Sequence, residues 1–239
     1  MHLMYTYPHK IENGEGEVIT FLGVVRDRDG DRMEVELLAP PNVGTPMHLH
    51  HLQEEAITVV AGKLGLQFAG EQPRYAGPGE TIILKRGVGH RWWNAGTTEL
   101  RCTGWATPPN NLEYFLTALF DSMKRSGRKR PGFFDAAFLL TRYRSEIRML
   151  EIPAVVQKVA FPVLLAAGTL LGKYDKFKDA PEPILETQAG SPHSTRADAP
   201  SFRRLPMSSL PELPAASRSS HKPKKGVRIR PHGGDRVKP

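Results

Sequence analysis

Two short segments constrain this chain more than any other part of it. Residues 44–62 contain His48, His50 and Glu55, and residues 79–94 contain His90. Glycines and prolines interrupt both segments, and the stretches between them favour β-strands. On a strand, residues i and i+2 project from the same face, so His48 and His50 point to one side. With a third imidazole and a carboxylate from neighbouring strands, these side chains predict a site for one divalent metal ion.

The pattern around the two segments predicts an all-β region. Short runs of strand-forming residues alternate with turn residues from about residue 14 to residue 108. The predicted strands are 18–25, 33–38, 47–51, 55–61, 63–68, 81–85, 90–94 and 98–106. Short strands at this spacing are typical of a sandwich or a barrel. Alternation along the last strand places Cys102 on an apolar face, as a small buried hydrophobe rather than a reactive thiol.

Beyond residue 108 the period of the apolar residues changes. A helical stripe starts near Leu112, and two further helices are predicted over residues 133–150 and 153–172. From Pro181 onward the chain holds ten of its 21 prolines and few large apolar residues, which is typical of a disordered segment. We therefore divide the chain into a β-barrel (1–108), an α-helical extension (109–178) and a disordered basic tail (179–239).

The charge of the chain is concentrated in this tail. The net charge is +8, but the chain from Pro181 onward carries eleven Lys and Arg against five Asp and Glu, which leaves residues 1–180 near neutral. The high pI is therefore no sign of a nucleic-acid partner, and we expect none that is specific. One cysteine excludes an intramolecular disulfide, and the first residues lack the pattern of a secretory signal. We expect a cytoplasmic protein that can associate with a membrane.

The two segments resemble the paired motifs of the cupin superfamily. The matching positions are His48, His50, Glu55 and Gly62 in the first motif, and Gly79, Gly87, His90 and Asn94 in the second. The chain departs from the family pattern twice: fewer residues separate Gly44 from His48, and Lys85 replaces a proline. Two motifs with linked spacing are a far more specific signal than a single His-x-His pair.

The resemblance implies a jelly-roll β-barrel whose metal ligands are His48, His50, Glu55 and His90. Strand alternation alone leaves Glu54 and Glu55 as alternatives for the carboxylate, because both strand faces are apolar; the family spacing selects Glu55. Three neutral imidazoles and one carboxylate suit a divalent ion of intermediate softness. Fe(II), Mn(II), Ni(II) or Cu(II) is expected in preference to Zn(II), because the favoured chemistry needs a redox-active ion.

Two functions of different classes follow from these expectations. The first is a metal-dependent enzyme acting on a small molecule, with a dioxygenase-type oxidoreductase as the favoured class, in which Glu55 also moves a proton. The side chains expected to shape its apolar pocket are Leu64, Leu66, Phe68 and Trp92. The alternative is a non-catalytic cupin that binds a small ligand or acts as a membrane-associated scaffold. The resemblance also implies a homodimer.

The apolar segment 152–172 has three interpretations. It can dock on the barrel or in a dimer contact, lie on an anionic membrane surface, or span a bilayer. Gln157, Lys158 and Pro162 weaken the spanning interpretation, and the basic residues on both sides of the segment suit either an anionic membrane surface or docking on the barrel.

Overall fold

The computed structural model describes residues 5–27, 30–127, 129–185 and 202–204. Within these ranges the strands are β1 (His9–Glu12), β2 (Val18–Asp27), β3 (Gly30–Ala39), β4 (His48–His50), β5 (Glu54–Ala61), β6 (Leu64–Phe68), β7 (Arg74–Ala76), β8 (Glu80–Leu84), β9 (His90–Asn94), β10 (Leu100–Thr107), β11 (Ile147–Met149) and β12 (Phe202–Arg204). The α-helices are α1 (Leu112–Ser126), α2 (Phe133–Arg142) and α3 (Phe161–Leu170). A π-helical turn (Val156–Ala160) leads into α3, and a short 3-10 turn (Asp175–Phe177) follows it.

The strands form two antiparallel sheets. The order in the larger sheet is β1-β2-β3-β10-β5-β8-β12, and the order in the smaller sheet is β11-β4-β9-β6-β7. Strand β10 lies between β3 and β5, so the last strand of the β-region joins two early ones. This arrangement confirms the prediction of a jelly-roll fold built mostly of strands. Closure of the sheets into a barrel stays a prediction.

The main core lies between the two sheets. Its members come from alternate positions of the strands, as the two-residue period of a half-buried strand requires. They include Leu37, Val59, Leu64, Leu66, Phe68, Ile82, Leu84, Trp92, Leu100 and Cys102. Cys102 is 3% exposed, and burial raises the pKa of its thiol to about 12. This confirms the prediction that Cys102 is a buried hydrophobe.

The helical extension packs on the β-region and also adds a strand to it. Phe120 and Met123 of α1 pack against Phe21 and neighbouring residues of the larger sheet. Strand β11 pairs with β4, and Ile147 lies opposite His50 in this pairing. The extension therefore covers the edge of the strand that carries two of the predicted metal ligands. The proposed domain boundaries at 108 and 178 stay predictions.

The predicted helix 133–150 is wrong beyond Arg142. The chain leaves the helix at Tyr143, and Ile147–Met149 extend along β4. The buried carboxylate of Glu146 accepts hydrogen bonds from the backbone N–H groups of Asn111 and Ile184. These long-range hydrogen bonds compete with the local helical pattern and turn the chain away from the helix axis.

The last apolar segment is also less regular than predicted. A π-helical turn precedes α3 without a break in the helix, and Pro162, which has no N–H to donate to that turn, lies in the first turn of α3. No helix among the described residues is long and apolar enough to cross a membrane. The first residues of the predicted disordered tail, 179–185, are described and pack on the helical extension, where the hydroxyl of Tyr143 donates to the carbonyl oxygen of Pro181 at 3.0 Å. The rest of the predicted tail lies outside the described residues, apart from Phe202–Arg204, which pair with β8.

Candidate metal centre

The fold brings the four predicted ligands together. His48 and His50 are the ends of β4, and His90 begins β9, where it pairs directly with His48. Glu55 lies on β5 in the other sheet. One donor atom from each of the four residues lies within 4.8 Å of the others. The cluster therefore joins the two sheets at one point between them.

Hydrogen bonds at Nδ1 orient all three imidazoles. Nδ1 of His48 lies 2.9 Å from the carbonyl oxygen of Pro46, and Nδ1 of His90 lies 2.9 Å from that of Val88. A carbonyl oxygen can only accept, so each Nδ1 carries the proton and each Nε2 keeps its lone pair. This is the tautomer that a metal ligand needs at Nε2.

His50 is oriented by a side chain instead of the backbone. Its Nδ1 lies 3.1 Å from Oε1 of Gln53, and Nε2 of Gln53 donates to the carbonyl oxygen of Pro109 at 2.8 Å. Because the amide nitrogen of Gln53 is engaged by Pro109, its oxygen faces His50 and accepts from it. Gln53 thus fixes the third imidazole in the same tautomer as the other two.

The carboxylate of Glu55 faces the Nε2 atoms across a gap. Its Oε1 is 3.5 Å from Nε2 of His50, and its Oε2 is 3.6 Å from Nε2 of His90. Nε2 of His90 is buried and has no hydrogen-bond partner. Leaving such an atom unpaired costs about 1–3 kcal/mol. A cation bound between the imidazoles and the carboxylate would remove this cost, so the donor set fits a metal ion.

The protonation states also suit a metal ion. Burial, followed by the nearby imidazoles of His50 and His90, lowers the pKa of His48 to about 3. Burial likewise lowers the pKa of His50, against the opposing effect of Glu55. Burial opposes ionisation of Glu55, but the imidazoles of His50 and His90 lower its pKa to about 2. At neutral pH the imidazoles of His48 and His50 are therefore neutral and the carboxylate of Glu55 is ionised, as metal binding requires.

The structure also separates the four residues from their close neighbours in sequence. Glu54 and His51 are not members of the cluster. His51 is exposed, and its backbone N–H donates to the carbonyl oxygen of Glu146 at 2.8 Å. The family spacing thus selects the carboxylate that the fold places beside the three imidazoles.

Comparison with known proteins places this cluster in a family. A family model described as a cupin domain matches residues 35–105, a range that contains all four residues of the cluster. The chain contains a cupin domain. No protein of curated function matches the chain.

Several solved structures resemble the cupin domain at low sequence identity. An uncharacterized protein with a double-stranded β-helix domain from Klebsiella pneumoniae is 17% identical over 46% of this chain and 85% of its own length, with a TM-score of 0.35. KdgF from a Halomonas species is 16% identical over 41% of this chain and 86% of its own length, with a TM-score of 0.35. DMSP lyase DddQ from Ruegeria pomeroyi is 21% identical over 31% of this chain and 37% of its own length, with a TM-score of 0.29. Similarity at this level transfers no activity to this chain.

The predicted pocket residues of the cupin domain are tightly packed. Leu64, Leu66, Phe68 and Trp92 belong to the main core, with exposures of 0%, 1%, 2% and 7%. Alternation correctly placed these side chains on the inward face of their strands. Whether they line a substrate pocket stays a prediction.

The turn before His90 forms although Lys85 occupies the position of the family's proline. Gly87 adopts a positive φ of 74°, which favours glycine, and its N–H donates to the carbonyl oxygen of His50 at 2.6 Å. The N–H of Val88 donates to the carbonyl oxygen of Lys85 at 3.2 Å. The turn before His90 is thus held by backbone hydrogen bonds, so the position of His90 does not depend on a proline at residue 85.

Sequence reasoning missed the groups that orient the imidazoles. Gln53 has a weak signal, since it follows His50 by three residues in a segment that carries ligands. The carbonyl groups of Pro46 and Val88 have no signal in the sequence, because every residue has a backbone carbonyl and nothing marks these two. The groups that accept hydrogen bonds from the imidazoles can be identified only when the backbone path is known.

We expect Gln53→Ala to weaken metal binding roughly 10–100-fold, because the imidazole of His50 would lose the group that fixes its tautomer. The apparent Kd for Ni(II) or Mn(II), measured by competition with a chromophoric chelator, checks this. Gln67→Ala is the matched control, since Gln67 on β6 also donates to a backbone carbonyl, that of Glu71, but is not in the cluster. Equal metal affinity in the two variants would contradict the assigned role of Gln53.

Proposed function

We propose that the cupin domain binds one divalent transition metal and that the chain is a metal-dependent enzyme acting on a small molecule. Nε2 of His48, His50 and His90 and the carboxylate of Glu55 are the proposed ligands. The observation that carries the proposal is the convergence of three imidazoles, each fixed at Nδ1, on one ionised carboxylate. The favoured reaction class is a dioxygenase-type oxidation.

The donor chemistry sets the class of ion. Imidazole and carboxylate together suit Fe(II), Mn(II), Ni(II), Cu(II) and Zn(II). Such an ion, when bound, supplies Lewis acidity toward a substrate oxygen and, if redox-active, electron transfer to O₂. A zinc-loaded site would favour isomerase or hydrolytic chemistry instead.

The cluster is open on one side. His50 and His90 are buried, whereas His48 is half-buried and the side chain of Glu55 is 19% exposed. A small molecule would therefore approach from the side of His48 and Glu55. A general base works best with a pKa near the working pH. The pKa of Glu55 near 2 supports its role as an anionic ligand more strongly than its predicted role in moving a proton.

The second candidate is a non-catalytic cupin that binds a ligand or scaffolds a complex. The observation in its favour is the dense packing of Leu64, Leu66, Phe68 and Trp92, which leaves these side chains little surface for a substrate. A homodimer and an anionic membrane surface are further proposals about partners. Contact with a membrane concerns the helical extension, so it is independent of the metal centre.

Oxygen uptake distinguishes the two candidates. We expect the untagged full chain, loaded separately with Fe(II), Mn(II), Ni(II) and Cu(II), to consume O₂ with at least one of these ions when a suitable aromatic or apolar small molecule is added. This consumption should be lost in His90→Ala and kept in His51→Ala, because His51 lies outside the cluster. A metal-loaded chain that binds compounds of the panel without converting them or consuming O₂ would favour the non-catalytic cupin.

A further inference from the structure

The helical extension presents an exposed aliphatic stripe. Val155, Val159, Val163, Leu170 and Leu171 are between 59% and 88% exposed. Most of them are spaced three to four residues apart or a multiple of that, which places them on one side of the helical segment. Large apolar side chains in such a row indicate an interaction surface rather than scattered surface residues.

The opposite side of the same segment holds it against the protein. Phe161 is buried, and the buried Gly168 lies so close to the ring of Tyr174 that an added Cβ would meet it at 2.4 Å. The hydroxyl of Tyr174 donates to the carbonyl oxygen of Leu164 at 3.0 Å. These contacts fix the rotation of α3, so the aliphatic stripe faces outward.

A cationic cavity lies beside the stripe. Its volume is about 570 Å³, and it is lined by residues of α2, β11 and the segment that leads into α3. Arg144, Arg148 and Lys158 contribute three permanent positive charges to its wall, and His51 adds an imidazole. No carboxylate belongs to this lining among the described residues. The cavity is therefore suited to an anionic group.

The stripe and the cavity share one stretch of chain. Ile152, Gln157 and Lys158 line the cavity, while Val155 and Val159 begin the stripe. Residues 152–174 contain Lys158 and Lys173 and no acidic residue. Exposed aliphatic side chains next to basic ones are the pattern of a helix that lies in the interface of an anionic bilayer.

Charge disfavours two other occupants of this surface. In a symmetric contact with a second copy, the same patch meets itself, which would bring the positive charges of the two copies together. Residues 186–239 of the tail carry eleven Lys and Arg against four Asp and Glu, so their net charge has the same sign as the surface. An acidic protein would match in charge, but the stripe lacks the Trp and Tyr anchors typical of protein interfaces.

We propose that this surface binds an anionic phospholipid bilayer. The aliphatic stripe enters the boundary between headgroups and acyl chains, and the cationic cavity receives a lipid phosphate. The helical segment lies in the plane of the membrane, which places the cupin domain at the membrane surface.

Vesicle flotation of the full chain tests the stripe. We expect binding to vesicles of phosphatidylcholine mixed with phosphatidylglycerol, and little binding to phosphatidylcholine alone. Val159→Ser combined with Leu170→Ser should lower partitioning at least about tenfold, because each side chain buries apolar surface in the bilayer. Leu22→Ser is the matched control, since Leu22 is 42% exposed on β2. The basic tail is intact in all of these proteins, so its attraction to anionic lipid contributes equally to the binding of each.

A second pair of variants tests the cavity. Arg144→Gln with Arg148→Gln should lower partitioning by roughly fivefold for each charge removed. Lys224→Gln with Lys225→Gln removes the same charge from the tail, at positions outside the described residues. If the cavity receives a phosphate, the first pair lowers binding more than the second.

Three results would overturn the proposal. The first is equal partitioning of the stripe variant and the Leu22→Ser control, which would assign all membrane binding to the tail. The second is equal loss in the two charge pairs, which would remove the cavity from the account. The third is a wild-type dimer that the stripe substitutions convert to a monomer in sedimentation experiments without altering vesicle binding. Leu171→Ser, beyond the end of α3, provides a second stripe variant if the double variant does not fold.

Discussion

His90→Ala is expected to weaken the binding of a divalent metal by more than about 100-fold, since the loss of even an orienting group costs 10–100-fold. His90 is fixed by the carbonyl of Val88, lies opposite His48 across the strand pair, and has a buried Nε2 that no protein group satisfies. Removing it leaves two imidazoles and a carboxylate. Competition titration with a chromophoric chelator gives the apparent Kd.

His51→Ala is the matched control for this prediction. His51 is adjacent in sequence to the proposed ligand His50, but it is exposed and lies outside the cluster. Circular dichroism checks that both variants are folded, and His48→Ala replaces His90→Ala if the buried substitution prevents folding. Metal affinity that falls equally in His51→Ala and His90→Ala, or in neither, would contradict the assignment of the ligands.

Gly44→Ala is expected to reduce the free energy of unfolding by about 3 kcal/mol or more, because it forces a side chain into backbone. A Cβ at this position would meet the carbonyl oxygen of Trp92 at 2.1 Å and the Cα of Trp93 at 2.5 Å. The neighbouring Thr45 donates its backbone N–H to the carbonyl oxygen of Trp92 at 2.9 Å, which holds the two segments together. Neither backbone can move away without breaking such hydrogen bonds.

Urea denaturation of Gly44→Ala and Gly77→Ala measures this effect. Gly77 is a suitable control because an added Cβ would meet only the flexible end of Glu80, at 3.8 Å, and its φ is not positive. We also expect Gly44→Ala to weaken metal binding, since β9 carries His90. Equal unfolding midpoints in the two variants would show that the contact between Gly44 and β9 is not required.

The position of Gly44 also explains a departure from the family pattern. The cupin motif has a glycine farther from the first histidine, whereas Gly44 of this chain forms a bridge to Trp93. Its role is to let two backbones approach closely. A comparison by spacing alone gives a mismatch at Gly44, although the close approach of the two backbones requires a glycine there.

The β-region was largely predictable because its signals are local. Burial alternates in β9 as the residues of the strand predict, and the predicted boundaries of β6 and β9 agree with the observed ones to within one residue. Strand β3 begins at Gly30, three residues before its predicted start. Strand β1, with four residues, and strands β7, β11 and β12, with three residues each, were not predicted. Runs this short contain too few residues to display the two-residue period by which a strand is predicted.

The helical extension shows the opposite case. The apolar period of residues 133–150 predicts one helix, yet the chain turns at Tyr143 and forms β11. The reason lies in Glu146 and in the free edge of β4, both of which need partners from other parts of the chain. Local periodicity cannot report hydrogen bonds to a segment that is far away in sequence.

The four residues that form the cluster were predictable, and their surroundings were not. The spacing of His48, His50 and His90 follows from strand geometry, so the residues that meet could be named in advance. Alternation also shows that Leu64 and Leu66 point inward. It does not show whether the inward side is hollow or packed, because that depends on the distance between the sheets.

The extension links the two proposals about this chain. Strand β11 pairs with β4 on one side, with Met149 opposite His48, and its side chains line the cationic cavity on the other. The same three residues thus support a strand of the metal centre and the wall of the proposed lipid site. The two sites can nevertheless be tested separately, because the stripe variants leave β4 and β11 unchanged.

The metal content of the untagged chain tests the central claim most directly. The full chain is purified without chelators, supplied in turn with Fe(II), Mn(II), Ni(II) and Cu(II), desalted and analysed by mass spectrometry of the elements. We predict about one tightly bound ion per chain for at least one of these metals, since the protonation states and orientation of the donors are already set. A folded chain that retains none of them would contradict the proposed metal centre and the enzymatic function built on it.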